Sequence, residues 1–176
     1  MSKTKRIALD GVLAAVYFAL SYLVINTGSL KFTFTSLAIV VAALLFGPLD
    51  ACAVALMGEF LYQVVIFGVT ATTPIWMIPP IIHALALGLC ALAVRRERPL
   101  YDRPVLCYAA CIGSGLVNTV CNTLALYADS KIMGYYKYEI VFGVALVRAL
   151  VGMVTAVVVA SVALPLVRTV RTRGLL

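Results

Sequence analysis

Positions 105–128 and 149–167 carry no charged residue, giving uncharged runs of 24 and 19 residues. A bilayer core asks for about 20 apolar residues per spanning helix, so each run is long enough to cross a membrane. The rest of the chain agrees. Of its 176 residues, 64% are hydrophobic and 12% charged, whereas an ordinary soluble domain is roughly 45–50% apolar and about 25% charged. The sequence therefore predicts an all-α integral membrane protein in which spans fill the whole length, 1–176, as a single membrane domain with short connections.

Breaks at Pro, Gly and charge clusters predict six helices, near 7–25, 33–47, 50–68, 79–94, 105–128 and 140–167. The basic, then apolar start of the chain lacks a small-residue cleavage site and is assigned to the first helix. An even count puts both termini on one side. Ten of the 14 basic residues precede the first span, fill the connection between the fourth and fifth, or follow the sixth, so the positive-inside rule makes that side cytoplasmic. Lys31, Lys131 and Lys137 fall on outer loops. The net charge of +7 is split among helix ends rather than gathered into a stripe, which speaks for the bilayer surface and against nucleic acid. In 46-FGPLD-50, Gly47 and Pro48 end one helix and Asp50 opens the next, predicting a tight cytoplasmic hairpin.

Polar groups inside the spans carry the functional reading. An ionised side chain at mid-bilayer costs at least roughly 2.5–3.5 kcal/mol, so such groups pair or line a wet cavity. Glu59 and Arg148 sit at matching depths below the outer ends of the third and sixth spans. Gln63 lies one turn above Glu59. Ser114, Asn118 and Asn122 recur every four residues and share one face. The fourth span opens with Trp76, Pro79, Pro80 and His83, the only histidine. Convergence of these faces predicts a small-molecule pocket in the outer half; an ion pair between Glu59 and Arg148, with the asparagines as interhelical glue, is the competing structural account. Tyr135, Tyr136 and Tyr138 read as interface aromatics.

The five cysteines read as buried core residues without disulfides. No phosphate loop, HExxH pair or histidine cluster is present, so neither a metal nor a cofactor is expected and enzymatic chemistry is disfavoured. Without a nucleotide site the chain cannot drive its own uphill transport from ATP, and capture of a solute that is lent to an energised partner is the expected route. Gly11, Ala15 and Ala19, widened by Ala14, form a smooth ridge on the first helix that suits either a partner helix or the chain's own packing. An intramembrane enzyme on a lipid and a stand-alone proton-coupled carrier are the alternatives.

Taken together, the Ala15-x-x-x-Ala19 ridge, 31-KFTFTSLAIVVAALLFGP-48, 118-NTVCNTLAL-126 and the buried Arg148 resemble the substrate-binding S components of energy-coupling factor (ECF) vitamin transporters, most closely the folate family. The resemblance covers nearly the whole chain. It implies a six-helix fold in the prokaryotic plasma membrane that takes up a vitamin from outside. It also implies docking through the first helix on a transmembrane T component with two cytoplasmic ATPases, and release by tilting. The chain departs from the folate family at Glu59, where an Asp is usual, and at 72-TTPIWMIPPIIHA-84. Folate or a related pterin is the expected ligand, with Lys31 available to its carboxylates and Lys31, Glu59, Gln63, Trp76, His83, Asn118, Asn122 and Arg148 as the expected binding residues.

Overall fold

The computed structural model describes residues 3–27, 30–94 and 99–173, with the side chains of 24–32 left out. Lys31 and Arg95, Arg96 and Arg98 therefore lie, as side chains, outside the described residues.

Among the described residues six α-helices run in chain order: α1 Lys3–Tyr22, α2 Ser36–Leu45, α3 Pro48–Phe67, α4 Thr73–Val94, α5 Pro104–Ile132 and α6 Ala145–Thr172. Four of these, α3 to α6 with its lead-in from Glu139, are long and apolar enough to cross a membrane. Their outer surface is apolar, as in Val105 and Leu146, which are 83% and 75% exposed; this is the surface a bilayer requires. The chain is a multi-pass membrane protein.

The second helix is shorter than the sequence reading has it. Ten residues rise only about 15 Å, too little to span a bilayer alone. Its residues from Ala38 to Leu45 are all buried, so its uniform hydrophobicity reflects enclosure by protein on every side. Thr33, where the sequence reading began this helix, instead ends β2, Leu30–Thr33, which pairs antiparallel with β1, Val24–Thr27, in the register Val24 to Thr33. The first helix accordingly ends at Tyr22.

The fourth helix begins six residues before Pro79. Thr70 and Thr73 cap it, the Thr70 amide donating to the Thr73 hydroxyl at 2.9 Å, and Pro74 falls in its first turn, where a missing N–H costs nothing. Pro79 and Pro80 then lie inside the helix. α5 runs on to Ile132, bringing Asp129 into its last turn.

Two glycines set the packing. A Cβ on Gly58 would lie 2.5 Å from the Tyr17 ring, and one on Gly88 would lie 2.4 Å from Pro48 Cα. These are the points where α1 closes on α3 and α4 closes on the α2–α3 turn. The termini-bearing end is sealed by polar contacts. Arg6 forms an ion pair with Asp50 and donates to the Phe46 carbonyl at 3.0 Å; Arg171 reaches the Leu45 carbonyl at 2.9 Å and Arg168 the Tyr101 carbonyl at 3.0 Å. Asp50, read from sequence as a helix-dipole residue, thus also anchors α1. Cys107 and Cys111 are buried, but Cys90 is exposed, and none of the five is in a disulfide.

The apolar core gathers around α2, the first half of α3, the last half of α4, the start of α5 and the end of α6. The other half of the bundle is hollow.

Candidate functional site

The hollow half holds a cavity of about 710 Å³, within the roughly 300–1,000 Å³ usual for small-molecule sites. Glu59, Gln63, Trp76, His83, Asn118, Asn122 and Arg148, singled out by sequence, all line it. Asn118 and Asn122 reach it from one face of α5. Ser114 is spent on its own helix, donating to the Cys111 carbonyl.

Glu59 does not pair with Arg148. Its Oε2 accepts from the Tyr17 hydroxyl and its Oε1 from the Gln63 amide, both at 2.7 Å. Tyr17 is buried on the face of α1 that lies on Gly58, and that close approach carries its hydroxyl to the carboxylate. Sequence reading missed Tyr17; the signal was Gly58 immediately before Glu59, a notch for a ring. Arg148 is instead turned toward the π-helical turn Glu139–Gly143, donating to the carbonyls of Val141 at 3.2 Å and Ile140 at 2.5 Å. A π turn displaces carbonyls from the α ladder, and the guanidinium takes them up. With five N–H donors, it keeps capacity for an anionic group in the cavity.

Two lining residues hold polar atoms without partners. Neither ring nitrogen of His83 nor Asn118 Oδ1 makes a hydrogen bond, although all three atoms are buried. His83 is 4% exposed, with the Ser114 backbone as its polar neighbour. An unsatisfied buried polar group costs about 1–3 kcal/mol.

The mouth carries a cluster the sequence reading did not anticipate. Gly134 takes a left-handed φ of 80° after α5, and the Tyr135 amide bonds back to the Ser130 carbonyl at 3.0 Å, a Schellman reversal. This throws Tyr135 over the helix end, where its hydroxyl donates to Asp129. Burial and that bond push the Tyr135 phenol up to about 12. Tyr135 is thus a cavity residue rather than a bilayer-interface aromatic, whereas Tyr136 stacks under Lys131, whose Nζ is 4.1 Å from its ring centre.

The expected ridge on α1 is open: Gly11, Ala15 and Ala19 are exposed, and a Cβ on Gly11 would meet nothing within 4 Å. Ala14 does not widen it, being buried in the bundle. Among the described residues no group of three or more His, Cys, Asp or Glu side chains could hold a metal ion.

A family model for the ECF transporter substrate-specific component matches residues 5–167. The chain belongs to that family. It is an S component, the substrate-binding part of a transporter that works with a T component and ATPases, and its family is not an enzyme family. The fold agrees. The solved structure of the S component of a bacterial ECF transporter superposes with a TM-score of 0.69, covering 97% of this chain and 98% of that one at 20% sequence identity. No individually curated relative matches the sequence.

Proposed function

We propose that this S component captures folate or a related pterin in the hollow half of the bundle and passes it to a T component and two ATPase subunits in a prokaryotic plasma membrane. The whole chain acts as one membrane domain, with its termini in the cytoplasm and the cavity facing outward. The observation that carries the reading is the trio of orphaned polar atoms on His83 and Asn118. A neutral imidazole presents one donor and one acceptor, and Asn118 Oδ1 adds an acceptor. A pterin edge alternates amino and ring N–H donors with carbonyl and ring-nitrogen acceptors, so it answers all three. Glu59, held by Tyr17 and Gln63, is a further acceptor for an amino group, and Asn122 can serve either part. Trp76 offers a stacking face. The unused donors of Arg148 suit a carboxylate, a role Lys31 can share. Charge favours the orientation, because Arg6, Arg103, Arg168 and Arg171 sit at the termini-bearing end.

The exposed ridge of Gly11, Ala15 and Ala19 is the docking face for the T component, since small residues let another helix approach closely. Titration calorimetry of the purified protein against a vitamin panel tests the ligand assignment. Folate-like compounds bind in the nanomolar range, on the order of −12 kcal/mol, and Asn118→Ala or Trp76→Ala weakens binding tenfold or more. Binding of a different vitamin with no pterin bound would remove the folate assignment; silence across the panel would remove the captured-vitamin reading.

A further inference from the structure

Two prolines in succession interrupt the hydrogen-bond ladder of α4 where the helix borders the cavity. Pro79 and Pro80 both lie inside the helix, and proline has no backbone N–H. Each carbonyl of an α-helix accepts from the amide four residues on, so the bonds that the Ile75 and Trp76 carbonyls would accept are both missing. Pro74 costs no such bond, because it falls in the first turn. At membrane depth a freed carbonyl is tolerated where protein answers it or where it lines a wet cavity.

The two carbonyls are placed differently. Trp76 and Pro80 line the cavity, whereas Ile75 and Pro79 are not among its lining residues. Positions 76, 80 and 83 follow the i, i+4, i+7 spacing of a single helix face, and His83 also lines the cavity. The Trp76 carbonyl points along the helix axis toward the Pro80 nitrogen, so it lies on that stripe, between two residues that border the hollow. His83 stands just beyond, 4% exposed and with neither ring nitrogen hydrogen-bonded. Side chains on a helix lean toward its N-terminus, which brings the imidazole back toward the freed carbonyl. Backbone and side chain thus leave polar groups unanswered on one side of one helix.

We infer that the backbone carbonyl of Trp76 is a ligand-binding acceptor, made available by Pro80, and that α4 reads its ligand through this carbonyl and the His83 ring together. A carbonyl only accepts, whereas a neutral imidazole both donates and accepts. The matching ligand is a nitrogen heterocycle that carries an N–H or amino donor beside a ring acceptor. A ligand edge made of acceptors alone leaves the carbonyl unpaired and is selected against. Pro80 is a positioning residue, since it acts through the carbonyl that it frees. The ligand half of this inference rests on the vitamin-capture reading; the open carbonyl does not.

Trp76 is the only tryptophan in the chain, so tryptophan labelled with carbon-13 at its carbonyl marks the one backbone group in question. The full-length protein in detergent micelles is studied by isotope-edited infrared spectroscopy. Without ligand, the labelled band of the wild type differs in frequency from that of Pro80→Ala, in which an amide at position 80 restores the helical bond. Pro79→Ala, which restores the bond to Ile75 instead, leaves the band at its wild-type position. Folic acid, used as the probe, shifts the band in the wild type and leaves it unmoved in Pro80→Ala. By calorimetry Pro80→Ala loses about fivefold in affinity for folic acid, the scale of one neutral hydrogen bond, while Pro79→Ala stays within twofold. The melting temperature of Pro80→Ala does not fall, because alanine suits a helix interior better than proline, so weaker binding in an equally stable protein separates a lost contact from a damaged scaffold. Coincident bands in ligand-free wild type and Pro80→Ala overturn the open carbonyl. Distinct bands with folic acid affinity undiminished in Pro80→Ala overturn its part in binding. If the wild-type protein ignores folic acid, the folate assignment fails, the ligand-free bands still decide whether the carbonyl is open, and a vitamin bound in the calorimetric panel takes the place of folic acid.

Discussion

Replacing Gly58 with alanine tests how α1 is tied to the cavity. The new Cβ would lie 2.5 Å from two Tyr17 ring atoms and 2.8 Å from Tyr17 Cβ, where carbon contacts ordinarily sit at about 3.5–4.0 Å. Because the clash includes Tyr17 Cβ, a swing of the ring tip cannot relieve it, and α1 must retreat by about 1 Å. That displacement would lengthen the Tyr17–Glu59 bond from 2.7 Å past hydrogen-bond range. Overpacking costs about 1–3 kcal/mol, and loss of a bond to a carboxylate a further ~1.5–3 kcal/mol. At about 2–4 °C per kcal/mol for a chain of this size, thermal unfolding in detergent falls by at least 5 °C. In a Tyr17→Gly background, which removes the Cβ together with the ring, the same Gly58→Ala change has no residue-17 side chain to strike and becomes neutral or slightly stabilising, since alanine is the better helix former by about 0.5–1 kcal/mol. Gly11→Ala, on the open face, behaves likewise in the wild-type background. A Gly58→Ala protein that melts with the wild type, or a penalty that survives removal of the whole Tyr17 side chain, would refute the close approach and with it the account of how Glu59 is held.

Gly134→Ala forces a Cβ into the left-handed region and destabilises the protein by about 1–2 kcal/mol, seen as a lower melting temperature that Gly134→Asn largely restores; equal stability of Ala and Gly would argue against the reversal. Tyr135 titrates near 12 rather than near 10 because burial and the Asp129 bond favour its neutral phenol. Its contribution to stability is therefore complete below pH 10 and lost as pH rises from 10 to 12. Ultraviolet titration of wild type against Tyr135→Phe isolates that step, and a phenol missing from the normal range near 10 would contradict it. Ala15→Trp abolishes uptake by the assembled transporter while ligand affinity in the isolated S component stays within twofold. Loss of affinity together with uptake would mean that the ridge serves internal packing.

The sequence was most legible where one helix could be considered by itself. The four-residue spacing of Asn118 and Asn122, and the place of Glu59 and Gln63 on one turn of α3, follow from helical geometry alone, and the structure brings those residues to one cavity. What needed two helices was not legible: Tyr17 reads as one more aromatic until Gly58 supplies its groove. Asp129 was lost because a charge was taken to end the fifth span at Ala128, when the helix runs one turn further. Hydropathy also does not tell the enclosed α2 from its lipid-facing neighbours, since a segment enclosed by protein and one enclosed by lipid are equally apolar. The hairpin was hidden in a connection, although β-branched Val24 and Ile25 and the run 30-LKFT-33 flank Gly28 and Ser29, a recognisable hairpin pattern.

The division of the bundle into a solid and a hollow half limits how a captured ligand can leave. A watered path through the solid half would have to part Ile39, Val40, Val54, Leu87 and Leu100, all fully buried. At about 1.5–3 kcal/mol for each large apolar side chain exposed to water, wetting these five costs on the order of 10 kcal/mol. That is before the Arg6–Asp50 pair and the arginine bonds to the Leu45 and Tyr101 carbonyls are broken. Opening at the mouth asks far less, since the Tyr135–Asp129 contact and its neighbours span only the end of α5 and the start of α4. The resemblance to S components implies release by tilting, and a bundle with one inexpensive opening suits a route in which that opening is carried from one side to the other. Reorientation of the whole bundle keeps the core and its end seals intact, and an outer surface as apolar as this one lets the protein turn within lipid without exposing new groups to water, provided a partner helix receives the open ridge of α1.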